Sequence, residues 1–456
     1  YWGTPIPVVH CEDCGHVLVP DEDLPVELPE YVQTTGNPLA ANDDFVETTC
    51  PDCGGPARRE TDTMDTFVDS SWYFLRFLSP DYDEGPFDPE RANDWMPIDV
   101  YVGGEEHAIL HLLYIRFVTR ALCDLGMLDV REPVKRLINQ GMVLHGGEKM
   151  AKSRGNVVAP HEYGAETTRL FVLSAAHPEQ DFEWTAKSVG SAYDFQQTLY
   201  RMTTAFTDRP AVREERAVQD AYVEREIDRT IAAVTEQYEG FRFHRAITEI
   251  QQLARLLRRY RAYAPPHVDV YRRGLTTVTL LVSPVVPFLG EELWNTLRGG
   301  SLVAEADWPV PERDVSAYRI ERRLVQTTLE DVRDITEMVD IDDPEHIELV
   351  VAQDWKYRAY DIARAAEPGS AVVGQIMDDE VVAAHGEAAA DFAADLQERQ
   401  ESLPPVLSGE RELTLLEQAA WLLDDEFGAD VTVRRANDDD GLAGRARPGK
   451  PAIHIS

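Results

Sequence analysis

Lys149 and Lys152 stand three positions apart in the stretch from Gly141 to Asn156, which also holds Gly146, Gly147 and Gly155. A glycine-punctuated backbone moves and approaches a ligand closely, and a lysine ammonium is a point charge on a flexible stem. Together they fit a mobile loop that closes on a triphosphate and stabilises the pyrophosphate as it leaves. The pattern alone fits a solvated surface loop as well. A second set of reactive side chains is Cys11, Cys14, Cys50 and Cys53, arranged as two C-x-x-C knuckles. Four thiolates close a tetrahedral zinc site and leave no open position for catalysis, so the expected ion is structural. Disulfides or a redox pair are the competing readings. Cys123, the fifth cysteine, lies on an apolar helical pattern and reads as core. His107 and His111 are one turn apart behind Glu105 and Glu106. They are metal ligands, satisfied helix histidines or donors to a substrate; the order is not H-E-x-x-H, and spacing favours the second reading.

These groups sit in a chain of 456 residues with a net charge of -38, in which six of the 44 basic residues are lysine. The length accommodates roughly three domains. The acidic residues are spread throughout and the apolar fraction is ordinary, which points to a folded protein solvated for a very salty cytoplasm. Negative charge argues against nucleic-acid binding, but that argument weakens where salt screens charge within a few ångströms. No apolar run reaches membrane-spanning length, so a soluble, cytoplasmic protein with no membrane partner is expected. The chain begins at Tyr1 without an initiator Met, which reads as a fragment of a longer protein.

The elements that must position the reactive groups follow in order. A loop-rich insertion at about 8–60 carries the cysteines. Thr66 or Asp69 caps a short helix whose aromatics line a pocket or a core. Ile98 to Val102 reads as a buried strand, followed by Gly103-Gly104 and a long helix to about Leu125 with Leu110, Leu113, Phe117 and Ala121 as its apolar stripe. Strand, glycine turn and helix form a doubly wound α/β unit, with ligands at the carboxyl ends of the strands. Arg136 to Gln140 is a second strand leading into the lysine stretch. A helix spans 161–172, and Asp181-Phe182-Glu183-Trp184 closes this part. From 186 to 298 the pattern is almost entirely helical, a bundle. Within it Leu253, Leu256, Leu257 and Tyr260 form an apolar face, and Arg255, Arg258, Arg259 and Arg261 cluster as phosphate contacts or as a solvated face. A helix from about Tyr318 to Val339 leads to a small α+β module. Its strands are Ile347 to Val351, Val431 to Val433 and Ile453 to Ile455, and its helices are Lys356 to Ala366 and Glu412 to Phe427. Arg434, Arg435, Arg445, Arg447 and Lys450, interrupted by Asp438-Asp439-Asp440, are a contact to nucleic acid or a solvated tail.

Tyr1-Trp2-Gly3, the segment Asp65 to Arg76, Gly103-Gly104-Glu105-Glu106-His107-Ala108 and Lys149 to Ser153 occur here in the order found in class I aminoacyl-tRNA synthetases, which the chain resembles. The run from Gly103 through His111 to Phe117 is similar to the leucyl branch in particular. The resemblance covers almost the whole chain and is looser beyond about residue 310. It implies that Phe67, Ser70, Tyr73 and His107 line a leucine pocket. It also implies that Gly104, Glu106 and His111 contact ATP, Glu106 at the ribose, and that Met142 and Val143 meet adenine through their backbone. Lys149 and Lys152 match the two lysines of the family's K-M-S-K-S loop. Ala151 departs from that pattern, removing a hydroxyl but neither charge.

The implied chemistry is attack of the leucine carboxylate on the α-phosphorus of ATP, with Mg²⁺ sharing the charge of the pyrophosphate, and transfer of leucine to tRNA(Leu). The family's H-I-G-H signature, the acidic residue for the amino group and the editing domain are expected upstream of Tyr1. On this reading the fragment alone is inactive and a monomer forms once it is joined to that half. The fold class expected is α/β: the second half of a Rossmann-type catalytic domain at 1–185 with a zinc-ribbon insertion, then an α-helical bundle at 186–311 of the anticodon-binding type. A linker helix at 312–345 and an α+β C-terminal domain of the tRNA-binding type at 346–456 complete it. The alternatives are an isoleucyl- or valyl-type synthetase, or a non-catalytic zinc-stabilised tRNA-binding protein.

Overall fold

The computed structural model describes residues 3–30, 33–208, 211–339, 341, 343–367, 370–437 and 441–456. Tyr1-Trp2 of the opening motif and the acidic run Asp438-Asp439-Asp440 therefore lie outside the described residues. The chain divides into two compact units, one of residues 1–149 with 178–183 and one of residues 150–177 with 184–456.

In the first unit, strands β1 (Val8–Cys11), β2 (Gly15–Leu18), β3 (Glu47–Thr49) and β4 (Pro56–Arg59) form an antiparallel sheet in the order β2-β1-β4-β3, with the short helix α1 (Asp43–Val46) before β3. Its core is small: Val9, Val17, Val19 and Ala57 beside Cys11 and Cys50. Helix α2 (Thr66–Ser70) is capped by the Asp65 side chain, which accepts from the Phe67 amide at 2.8 Å, and not by Thr66 or Asp69 as expected. Asp65 wins because it stands one position before the helix, where the first free amides point. Helices α3 (Tyr73–Leu78) and α4 (Pro89–Trp95) pack through Leu75, Phe87, Ala92 and Met96.

Strand β5 (Ile98–Gly104) pairs in parallel with β6 (Val134–Gln140), and the crossover contains α5 (His111–Asp124). Two expectations fail here. A separate 3-10 turn, Glu105–Ala108, interrupts the helix, so His107 is not on α5. The buried face of α5 is His111, Ile115 and Thr119, while Leu110, Leu113 and Phe117 are exposed. The helix turns its i, i+4, i+8 row inward, and that row carries two polar residues, which an apolar-stripe reading passes over. Cys123 is half-buried on α5, not in the core. The unit ends in a three-stranded sheet, β8-β7-β9, made of β7 (Val143–His145), β8 (Glu148–Lys149) and β9 (Phe182–Glu183).

In the second unit, α6 (Ala165–Ala175) is followed by a bundle of α7 (Ala186–Asp208), α8 (Val218–Glu239), α9 (Phe243–Tyr263), α10 (Val268–Val282) and α11 (Pro287–Leu297). Leu253, Leu257 and Tyr260 are buried on α9 as the pattern requires. Of the four clustered arginines on that helix, Arg255, Arg258, Arg259 and Arg261, Arg259 pairs with Asp425 and Arg261 donates to the Ala205 carbonyl, so at least two are committed within the chain. Helix α12 (Tyr318–Val339) buries Leu324, Val325, Thr328 and Val332 along one side, and is a packed element.

A mixed sheet follows, ordered β11-β10-β12, with β10 (His346–Val351) parallel to β11 (Asp430–Arg435) and antiparallel to β12 (Ala452–Ile455). Helices α13 (Asp354–Ala365), α14 (Val372–Met377), α15 (Glu380–Ala383) and α16 (Gly386–Glu398) enclose a core around Trp355, Tyr360, Val372 and Leu396. The helix expected from Glu412 to Phe427 is two, α17 (Gly409–Ala419) and α18 (Trp421–Phe427), because Ser408 caps the first a turn earlier and the chain breaks at Ala420. In the basic tail, Arg434 pairs with Glu348, Arg435 with Asp354, Arg447 with Asp395 and Lys450 with Asp331.

Candidate nucleotide site and four-cysteine cluster

The two knuckles meet where β1 turns into β2 and β3 into β4. Gly15 and Gly54 take positive φ just after Cys14 and Cys53, and the Cys50 amide donates to the Gly55 carbonyl at 2.8 Å. Each turn is wound so that its two thiols face the same point. All four sulfur atoms lie within 4.8 Å of one another, Cys11 and Cys53 at 3.6 Å. A tetrahedral ion with bonds of about 2.3 Å needs sulfur separations of about 3.8 Å, so the donor set fits zinc. The thiols also perturb each other. Cys14 donates its thiol hydrogen to Cys53, and that bond, then desolvation and the bonds to its other neighbours, push Cys14 up to about 12, whereas the Cys53 amide brings Cys50 down to about 7. A set that cannot easily lose its protons together is one that a divalent charge would transform.

The second site is built at the carboxyl end of β5. Phe67 on α2 packs 6.0 Å from the His111 ring and 6.3 Å from the His107 ring, and Tyr73 stacks 6.2 Å from His111. The structure thus brings Phe67, Tyr73, His107 and His111 into one ring cluster, with Ser70 at the end of α2 beside it. His111 is buried, and both its nitrogens are engaged: Nε2 with the Ser70 carbonyl at 2.7 Å and Nδ1 with the Tyr101 hydroxyl at 2.8 Å. A carbonyl only accepts, so Nε2 carries the proton and Tyr101 donates to Nδ1. His111 is therefore a satisfied histidine tying α2 to β5, and neither nitrogen is spare for a nucleotide. Tyr101 was not among the expected site residues.

Gly104 caps the 3-10 turn with φ of -63°, and a Cβ there would meet nothing within 4 Å. Among the described residues nothing requires glycine at this point, and the space above it is open. From the turn, Glu106 reaches Lys149 on β8 at 2.6 Å, both side chains being exposed. The hydrogen bond from Lys149, and then its charge, hold the Glu106 carboxyl below the usual range.

Lys149 ends a hairpin whose turn is Gly146-Gly147, with φ of +68° and +76°. Two consecutive positive φ values are the signature of a two-residue hairpin turn and favour glycine at both positions. Gly141 is needed for another reason: a Cβ there would overlap the backbone of Gln180 and Asp181. That close approach lets Asp181 accept from the Met142 amide at 2.6 Å, and Phe182 donates to the Met142 carbonyl at 3.1 Å. Met142 thus spends both backbone groups inside the chain. The parallel bridge Val143↔Phe182 turns Val143's own N–H and C=O to the opposite edge. Glu183 accepts from the amides of Gly146 at 2.6 Å and Gly147 at 3.3 Å. Asp181 and Glu183 were read only as the close of a segment; their alternation along an extended strand was the available signal.

Lys152 belongs to the second unit. It is exposed and opens a short 3-10 turn, Lys152–Arg154, closed by Gly155 at φ +68°. The Ala151 amide donates to Asn156 at 2.9 Å, so the loop folds on itself without the missing hydroxyl.

A parallel strand pair with its crossover helix thus carries a ring cluster at the strand end and a lysine hairpin beside it. Residues 1–185 match the family "tRNA synthetases class I (I, L, M and V)", and residues 220–350 match "Anticodon-binding domain of tRNA ligase". The chain belongs to the class I tRNA synthetases. Within that class it is similar to leucine–tRNA ligases. The one from Halobacterium salinarum is 49% identical over 100% of this chain and 52% of its own length. That from Geobacter sp. strain M21 is 46% identical over 68% of this chain and 39% of its own. Among solved structures, the ternary complex of Agrobacterium radiobacter K84 agnB2 LeuRS with tRNA and LeuAMS matches with a TM-score of 0.61 and 37% identity. It covers 68% of this chain and 41% of that one. The chain spans about half the length of the first of these relatives and less of the others. Among the described residues no helix is long and apolar enough to cross a membrane.

Proposed function

We propose that the chain is the part of a leucyl-tRNA synthetase that holds the leucine side chain, the ribose and the departing pyrophosphate. The observation that carries this reading is the junction at the end of β5. There the ring cluster of Phe67, Tyr73 and His107 lies beside Glu106, which itself touches the hairpin lysine Lys149 at 2.6 Å. One small region thus offers an apolar cup, an acceptor for sugar hydroxyls and a mobile cation, the three things an aminoacyl adenylate asks for.

The leucine side chain enters the cup of Phe67, Tyr73 and His107 over the carbonyl end of α2 at Ser70. His111 keeps that cup in shape through Tyr101 and is not itself an ATP ligand. Adenine meets the backbone of Val143 on the side of β7 that faces away from β9; Met142 shapes that strand. The open space over Gly104 admits the sugar, and Glu106 accepts from its hydroxyls. As leucine's carboxylate attacks the α-phosphorus and pyrophosphate leaves, Lys149 exchanges Glu106 for phosphate oxygens, and Lys152 adds a second cation. No side-chain nucleophile is involved; alignment and fixed charge lower the barrier. Mg²⁺ bound with ATP supplies further charge neutralisation at the phosphates. Cys11, Cys14, Cys50 and Cys53 would hold a structural zinc in a zinc-ribbon insertion at about 8–60, whose own core is too small to fold unaided.

We assign 1–185 to the catalytic domain, 186–311 to the anticodon-binding-type bundle, 312–345 to the joining helix and 346–456 to a tRNA-binding-type domain. The enzyme is a cytoplasmic monomer with ATP, leucine and tRNA(Leu) as partners. The test is amino-acid-dependent ATP–pyrophosphate exchange in molar KCl, with this chain in its whole enzyme, comparing Leu, Ile, Val and Met. Leucine should dominate. Exchange led by another amino acid would overturn the pocket assignment, and none with any of them would overturn the catalytic reading.

A further inference from the structure

Asp181 stands just before β9 and Glu183 closes it. Both point at the backbone of the lysine hairpin. Asp181 takes the Met142 amide just before β7, at 2.6 Å. Glu183 takes the amides of Gly146 and Gly147 just after it, at 2.6 and 3.3 Å. The two carboxylates thus bracket β7 at its start and at the hairpin tip.

The bracket adds side-chain contacts at both ends of β7, whose other edge is paired in parallel with β9. Among the described residues the hairpin arms pair at Leu144↔Lys149 and His145↔Glu148, a short ladder that gains from added contacts. The Gly146-Gly147 tip is the most permissive backbone available. Successive amides in such a turn also make an anion-binding concavity, and here the chain's own carboxylate fills it. A triphosphate is then directed to the ammonium of Lys149 and away from the tip. We propose that Asp181 and Glu183 are positioning residues for ATP use: they hold the hairpin backbone while the Lys149 side chain moves from Glu106 to phosphate. This rests on the synthetase reading given above.

Two measurements separate the tether from that reading. Hydrogen exchange in this chain, without nucleotide, is compared for wild type, Asp181→Ala, Glu183→Ala and Glu183→Gln. The alanine variants should speed the Gly146 and Gly147 amides (Glu183) or the Met142 amide (Asp181) by about tenfold, with β5 and β6 unchanged. Glu183→Gln, whose carbonyl oxygen still accepts, should recover most of the protection. Unchanged exchange in the alanine variants would overturn the tether.

In the whole enzyme, pyrophosphate exchange should then show KM for ATP raised about tenfold by Glu183→Ala, KM for leucine within about twofold, and rescue by Glu183→Gln. Equal losses for both substrates, or faster amide exchange with an unchanged KM for ATP, would reduce both residues to a structural role and overturn the proposal. A wild-type enzyme with no amino-acid-dependent exchange would refute the synthetase reading itself, and with it the role in ATP use. The amide measurement would still decide the tether.

Discussion

Tyr101→Phe isolates the contact that shapes the ring pocket. The hydroxyl donates to Nδ1 of His111, which is 8% exposed, and the opposite nitrogen donates to the Ser70 carbonyl. Phenylalanine keeps the ring packing and removes only the donor. The Nδ1 lone pair is then unpaired in a site nearly closed to water, which costs about 1–3 kcal/mol. The imidazole has two ways to recover. It rotates toward solvent and gives up Ser70, or it stays and carries the loss. In the first case the end of α2 is released, and Phe67 and Tyr73, which pack at 6.0 and 6.2 Å from the ring, lose their backing. The expected outcome is a lower urea midpoint for the first unit and a KM for leucine raised about tenfold, the equivalent of about 1.4 kcal/mol. KM for ATP should barely move, since neither His111 nitrogen is offered to the nucleotide. The tautomer is checked directly by the ¹⁵N shifts of His111. Wild-type stability and leucine KM in Tyr101→Phe would refute the structural role of this histidine, and a selective rise in KM for ATP would return His111 to the nucleotide site.

Three further outcomes are expected. Chelation, or Cys50→Ser, should release one zinc per chain and sharply increase hydrogen exchange within about 8–60 while β5 and β6 stay protected; an insertion indifferent to both would exclude a structural ion. Lys152→Ala should lower amino-acid-dependent pyrophosphate exchange by about 10²–10³ and leave tRNA binding, measured by filter retention, within about twofold; unchanged exchange would remove Lys152 from the mechanism. Burial pushes Glu412 up to about 7 from 4.5, so protons bind the folded state more tightly and stability should fall as pH rises between these values. That window amounts to about 3 kcal/mol. Glu412→Gln should abolish that slope and stabilise the C-terminal module at pH 8, read by urea denaturation; a slope that persists would place its origin elsewhere.

Most of the fold was legible because its elements announce themselves locally. The bundle helices have apolar rows at helical spacing, and α12 begins and ends where the pattern places it, at Tyr318–Val339. The knuckles were legible because two C-x-x-C turns can bring four thiols to one point, and the four sulfur atoms do lie within 4.8 Å of one another. The lysine stretch was legible as a glycine-rich, doubly charged loop. Helix α5 shows the limit. Its sequence offers an apolar row at Leu110, Leu113 and Phe117, yet the row turned inward is His111, Ile115 and Thr119. Pattern reading assumes that burial follows apolarity. A histidine that satisfies both nitrogens is buried by its partners, Tyr101 ten residues away and Ser70 forty-one, and no local window contains all three.

The same reasoning bears on the roles proposed for the site residues. Matching a motif transfers positions, whereas hydrogen-bond capacity decides what a position has left to give. His111 has two nitrogens and both are used. Met142 has one amide and one carbonyl, and Asp181 and Phe182 take them. Lys149 and Glu106 hold each other on the surface, where an ion pair is weak and salt-screened. A contact of that strength is one that a triphosphate can displace at little cost. The bonds to His111 are short and shielded from water, so giving them up to a ligand would leave polar groups unpaired. On the synthetase reading proposed above, the motif residues would be sorted by how cheaply each partner is released: the exposed pair would be the moving part of the site, and the committed groups the frame against which it moves.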